Sequence, residues 1–237
     1  MLPESKVSVL SVAADVTGRQ RAEREAASAR RNLALLNEAG SRIGNSLDLE
    51  RTARELLDVT VPQFCDMASV DLYQALLSGE DRLDAVDAGG STGDGSGELR
   101  RVAYASAVSG VPLPGESSQE GGVSVGGTHR YRFSSPFAQA LRTAQTQTLG
   151  TDPAAKAELG NVVHSTLVVP MVARDTVLGL VQFSRAKGSE PFGERDTGLA
   201  EELVARAAIS IDNARLYRRE HERPTSVPHR WSRPWRT

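Results

Sequence analysis

Two apolar runs dominate the sequence. They are Ser165–Ala173 (STLVVPMVA) and Thr176–Arg185 (TVLGLVQFSR), and only Arg174-Asp175 separates them. Their β-branched content and this spacing predict a β-hairpin, although the turn lacks the favoured Asn-Gly or Asp-Gly pair. Pro170 has no N–H to give to a ladder, so its strand is expected to sit at an edge or to carry a bulge.

The rest of the chain supplies a sheet and helices around that hairpin. Ala68–Tyr73 (ASVDLY) and Leu99–Ser106 (LRRVAYAS) read as strands. The segments 78–97 and 107–130 are loops rich in Gly and Ser. Ser135-Pro136 opens a short helix with Phe137, Ala140 and Leu141 on one face. A helix starting at Leu47-Asp48-Leu49-Glu50 ends before Pro62, and a last helix covers 194–221 with Leu199, Leu203, Ala207, Ile211 and Ala214 on one face. The order predicts an α+β fold: a central antiparallel sheet flanked by helices, with long helices at both chain ends.

The N-terminal third holds the clearest periodicity. Ala22, Ala26, Ala29, Leu33, Leu36, Gly40, Ile43 and Leu47 recur at alternating spacings of four and three, a heptad seam between charged positions. The seam fits a helix packed on its own domain and fits equally a coiled-coil-like linker over 18–46 that pairs with a second chain. Before it, residues 7–16 (VSVLSVAADV) are expected to be extended, with Asp15 and Thr17 capping the helix that follows.

Composition excludes several classes. The formal net charge of −2 gives no reason to expect nucleic acid or an anionic membrane as partner. No apolar run approaches the roughly 18 residues of a membrane span, and the N-terminus does not read as a signal peptide, so a cytoplasmic location is expected. Cys65 is the single cysteine, which rules out an internal disulfide. Residues 223–237 contain Arg223, Arg230, Arg233 and Arg236, both tryptophans and Pro224, Pro228 and Pro234. The basic, Pro/Trp-containing tail, drawn over 218–237, is expected to be disordered.

Residues 164–185 (HSTLVVPMVARDTVLGLVQFSR) resemble the central hairpin of GAF domains, and 190–217 (EPFGERDTGLAEELVARAAISIDNARLY) resemble their closing segment. The resemblance implies a GAF domain over 47–217, acting as a regulatory sensor and not as an enzyme. The finer likeness is to the PAS–GAF sensor region of actinobacterial SpoIIE-type serine/threonine phosphatases. On it, 1–17 would be the remnant of a PAS domain's last strand, and the metal-dependent phosphatase domain is absent from the chain.

The chemistry-bearing residues agree with a non-enzyme. Asp94-Gly95 sits in TGDGSG, where a turn explains it better than a metal site. Cys65 lies between apolar and acidic neighbours that do not activate a thiol. His129 and His164 are candidate haem ligands but read as structural, and Phe192 with Asp196 is only part of a cyclic-nucleotide signature. No cofactor is assigned. In GAF domains the ligand lies between one sheet face and a loop-and-helix layer, mapping here to 107–163, so Tyr104, Phe137, His164 and Thr166 are the pocket candidates. Three functions follow: a sensor that relays the state of a small ligand or partner through its terminal helices, with a homodimer through those helices; a piece of a phosphatase; or a ligand-free dimerisation module.

Overall fold

A computed structural model describes residues 5–78, 97–108, 123–150 and 163–222. Helix α1 (Ser5–Arg42) leads to α2 (Leu49–Thr60), β1 (Met67–Tyr73), the single turn α3 (Gln74–Leu77), β2 (Leu99–Ser106), β3 (Thr128–His129), α4 (Pro136–Thr143), β4 (Gln147–Leu149), β5 (Val163–Ala173), β6 (Thr176–Ala186) and α5 (Glu194–Glu222). The strands form one six-stranded sheet in the order β3-β2-β1-β6-β5-β4, with every neighbouring pair antiparallel. This is the α+β architecture expected from the sequence.

Local chemistry sets the element ends. Asp48 caps α2 by accepting hydrogen bonds from the backbone N–H groups of Glu50 and Arg51 at 2.9 and 3.2 Å. Ser135 caps α4 in the same way, accepting from Ala138 N at 3.2 Å, with Pro136 in the first helical turn. The β5–β6 turn places Arg174 and Asp175 at φ 47° and 64°, the left-handed pair of a tight hairpin, without a glycine. Arg174 is held there from outside: its Nη2 donates to Asn213 Oδ1 of α5 at 3.1 Å. Pro170 fits as expected: β4 pairs with β5 only over Thr166–Val168, so the outer side of Pro170 faces no strand. At Gly179 (φ 156°), opposite Leu72, an added Cβ would collide with the Asp71 carbonyl oxygen, so β1 and β6 approach more closely than a side chain allows.

All seven residues of β1 are buried, so both faces of the sheet centre are covered. Successive strand residues point to opposite faces, and the contacts sort accordingly. Ser165 Oγ accepts from Phe192 N and Phe183 packs edge-on against Phe64 at 5.3 Å, which marks the face carrying α2 and α5. Their neighbours Thr166, Gln182 and Ser184 point the other way, toward α4.

Four expectations need correction. Residues 7–16 are not extended but lie inside α1, with Asp15 and Thr17 in its interior instead of at its cap. A β-rich run takes strand form only where a partner edge offers hydrogen bonds, and none of the strands reaches it. The heptad seam outlasts its helix: α1 ends at Arg42, and Gly44 at φ 91° turns the chain, leaving Leu47 in the connection and 51% exposed. The tail boundary at 218 is too early: 218–222 are the last turn of α5, in agreement with the helix reading to 221, because the first helix breaker comes only at Pro224. Finally, α1 docks on its domain through Leu35 and Ala39, with Ile43 just past its end, while Ala26, Ala29 and Leu33 stay exposed. The docking stripe shares only Ile43 and the half-buried Leu36 with the heptad seam and otherwise runs beside it. The tail 223–237 and Asp94-Gly95 lie outside the described residues.

Candidate functional site

The face of the sheet under α4 is unusually polar for a buried surface. Ser69 and Asp71 of β1, Arg101 of β2, Thr166 of β5, and Gln182 and Ser184 of β6 are all at most 2% exposed. Buried polar groups need partners, so their pairing shows what the face is built to hold.

One half is organised around a bidentate ion pair. A bulge in β2 between the partners of Val70 and Asp71 brings Arg101, and not Val102, opposite Asp71. Arg101 Nε and Nη2 donate to the two Asp71 carboxylate oxygens at 2.9 and 3.2 Å, a bidentate pair, and Nη1 donates to Val123 O at 3.2 Å. Tyr131 donates its hydroxyl to Asp71 Oδ2 at 2.7 Å, and His129 Nε2 lies 3.3 Å from the same oxygen, close enough for an ion pair but not aligned for a hydrogen bond. Burial alone would raise the Asp71 carboxyl. His129 and Arg101 outweigh it and hold the group well below the usual carboxylate range. The Tyr131 phenol moves the other way, raised first by burial and then by the Asp71 charge. The Tyr131 ring stacks on Phe137 of α4 at 4.7 Å and 9°, which ties the helix to the charged pair.

The other half is incompletely paired. Thr166 Oγ1 and Ser184 Oγ lie 2.9 Å apart, and Gln182 Nε2 donates to Ser184 Oγ at 3.3 Å. Ser69 stands directly across from Gln182 in the β1–β6 register. Ser69 Oγ and Gln182 Oε1 are buried and have no hydrogen-bond partner among the described residues.

Of the residues picked from sequence, Phe137 and Thr166 belong to this covered face. Tyr104 stands across from Ser69 in β2 and is 37% exposed. His164 lies at the irregular start of β5, half-buried, and is not brought to the paired row. The loop parts of the expected ligand layer, 109–122 and 151–162, lie outside the described residues. Sequence reasoning missed Ser69, Asp71, Arg101, Tyr131, Gln182 and Ser184. The signal was present: a single acid in ASVDLY and a neutral amide, Gln182, in LVQFSR each interrupt a mostly apolar strand run.

The opposite face ends in a clasp. Arg185, at the end of β6, donates to Asp196 of α5 and to the carbonyl oxygens of Phe64 and Glu190, and its guanidinium lies 4.1 Å from the Phe192 ring centre. Cys65 sits beside this clasp with its thiol pushed far above the ordinary value by burial. Among the described residues no group of three His, Cys, Asp or Glu side chains is placed to hold a metal ion, and no helix is long and apolar enough to cross a membrane.

The comparisons place this geometry. No curated protein matches the chain. Solved structures share its fold. The GAF domain of a phosphoenolpyruvate-protein phosphotransferase from Coxiella burnetii is 15% identical with a TM-score of 0.54, covering 80% of this chain and 97% of its own. The corresponding domain from Acinetobacter also gives 15% and 0.54, covering 78% of this chain and 96% of its own. A phycocyanobilin-bound GAF domain of a cyanobacterial phytochrome gives 16% and 0.52 over 78% of this chain and 96% of its own. Such identities speak for the fold alone. The GAF domain family model, however, matches residues 48–211, most of the chain. With a six-stranded antiparallel sheet, helices on one face and a polar floor under α4 on the other, the chain belongs to the GAF domain family of regulatory sensor modules.

Proposed function

We propose that this chain senses a small ligand on the polar face under α4 and relays its presence through α1 and α5. The observation that carries the reading is the unpaired polar pair, Ser69 Oγ and Gln182 Oε1, buried on that face. A core built only for stability would fill these positions with apolar groups, since each unpaired buried polar atom costs about 1–3 kcal/mol. The relay is supported by connectivity. The floor strand β6, hydrogen-bonded to β1 and β5 on its two sides, carries Arg185 of the clasp on α5, and α1 packs beside α5, where a Cβ at Gly40 would lie 3.0 Å from Arg206 Nη1. A ligand that favours one packing of these helices shifts their population.

The exposed seam of α1 supports a homodimer through the terminal helices: Leu33 is 61% exposed, and Ile209 of α5 is 55% exposed. The likeness to the sensor region of SpoIIE-type phosphatases favours the narrower reading, in which the output is a metal-dependent serine/threonine phosphatase working in the cytoplasm. The same exposed seam favours a second reading, a dimerisation module that takes no ligand.

Native mass spectrometry of the purified chain, followed by a thermal-shift screen of small metabolites, separates these readings. Non-covalent extra mass, or a compound that raises the melting temperature and alters the dimer, is expected. A dimer that carries nothing and responds to nothing leaves the dimerisation module standing and the sensor reading refuted.

A further inference from the structure

We propose that the polar face, read as above as a ligand site, selects an uncharged amide-like ligand, one that presents an N–H donor and a C=O acceptor side by side, and rejects phosphates and carboxylates.

The argument starts from what is already paired. Among the described residues, the Asp71 charge of the face is already matched, by Arg101 through two hydrogen bonds and by His129 Nε2 at 3.3 Å, and the third guanidinium nitrogen is committed to Val123 O. No further cation among the described residues stands there to balance an incoming anion. A carboxylate or phosphate would meet the Asp71 charge nearby and the Gln182 carbonyl dipole, with no compensating donor set. Burying a charge unpaired costs several kcal/mol.

The uncommitted groups are neutral and complementary to an amide. The Gln182 side chain is oriented by its Nε2 bond to Ser184 Oγ, which is itself engaged with Thr166 Oγ1. That leaves Gln182 Oε1 as an acceptor waiting for a donor. Ser69 Oγ, across the β1–β6 register, carries a hydroxyl hydrogen that waits for an acceptor. An amide, a lactam or a ring with adjacent N–H and C=O satisfies both atoms at once. An ether or hydrocarbon satisfies neither.

Benzamide and benzoate have the same shape and differ in charge, so they form the matched pair of probes, with phenyl phosphate as the dianionic third. Each is titrated into the 15N-labelled full chain while the Gln182 side-chain amide and the Ser69 and Gln182 backbone amides are followed. Saturable shifts with benzamide are expected, with benzoate and phenyl phosphate at least tenfold weaker. Ser69→Ala and Gln182→Met should each weaken benzamide at least fivefold, and Ser69→Ala should leave the melting temperature unchanged or higher, because it removes only an unpaired buried polar atom, whereas Gln182→Met also removes the bond to Ser184 Oγ. A purely structural role predicts the reverse, a lower melting temperature with unaltered probe binding. Benzoate or phenyl phosphate shifting the same amides as strongly as benzamide overturns the ligand class while the site stands. If none of the three probes shifts any residue of the face, the ligand class falls, and the sensor reading is decided by the native-mass and thermal-shift test.

Discussion

Arg185 holds Asp196 through two hydrogen bonds, Nη1 to Oδ2 at 3.1 Å and Nη2 to Oδ1 at 3.3 Å, and so joins the end of β6 to the first turn of α5. The pair is largely but not fully buried, with side-chain exposures of 16% and 27%. Asp196 also accepts from Gly193 N at 3.0 Å, so the carboxylate serves as a helix-start acceptor and as the partner of the guanidinium. Lysine cannot reproduce a planar, bidentate, ring-stacked contact. Arg185→Lys is therefore expected to destabilise the protein by about 2 kcal/mol, in the range of charge-assisted hydrogen bonds, by urea unfolding. A loss under about 0.5 kcal/mol, the size of an ordinary surface change, would remove the clasp from the account.

The Asp71 carboxyl gives the acid limb of stability its shape. Its folded value lies below its unfolded one, so its contribution is complete above the unfolded value of about 4 and is lost as pH falls through the folded one. Asp71→Asn should cost about 3–5 kcal/mol at neutral pH, because it strands the buried Arg101 charge. The variant should also lose less stability than the parent between pH 4 and pH 2, as read by denaturation at fixed pH. An unchanged acid slope would place the titrating group elsewhere.

Leu33 and Leu35 are two positions apart on α1 and face different surroundings, at 61% and 4% exposure. Leu35→Ala should destabilise the domain by about 2–5 kcal/mol, the usual range for truncating a core leucine. Leu33→Glu should leave the unfolding midpoint of the domain unchanged and convert dimer to monomer in sedimentation velocity. A dimer that survives Leu33→Glu moves the interface off the heptad seam.

Cys65 is 2% exposed, and burial keeps its thiol protonated at neutral pH. It should resist a thiol-reactive dye in the folded protein and label stoichiometrically in urea. Rapid labelling of the native chain would show that the segment between α2 and β1 opens locally.

The periodic elements were legible in the sequence because their signal is local. The hairpin is a continuous apolar run buried on both faces, α2 and α5 carry a pattern that burial on one side enforces, and a capping residue such as Asp48 or Ser135 adds a mark at the start. The pocket candidates were legible only in part. Phe137 and Thr166 follow from the family resemblance, whereas the Asp71–Arg101 pair depends on a bulge that shifts β2 by one residue. No local pattern announces such a shift, because it is settled by which long-range partner the strand meets.

The sequence by itself determined α2, β1, β2, α4, the β5–β6 hairpin and α5, the single cysteine and the charge pattern, since these rest on residue type and short-range spacing. Only the tertiary structure decided which strands became neighbours and which polar residues they bring together. It put 7–16 into a helix for want of a sheet edge, and turned Leu35, Ala39 and Ile43 inward while Leu33 stayed outside. It also brought Ser69 opposite Gln182, from strands more than a hundred residues apart in the chain. The physical reason is the same each time: burial and hydrogen-bond pairing are properties of the assembled sheet, and a residue acquires them from partners its own neighbourhood does not name.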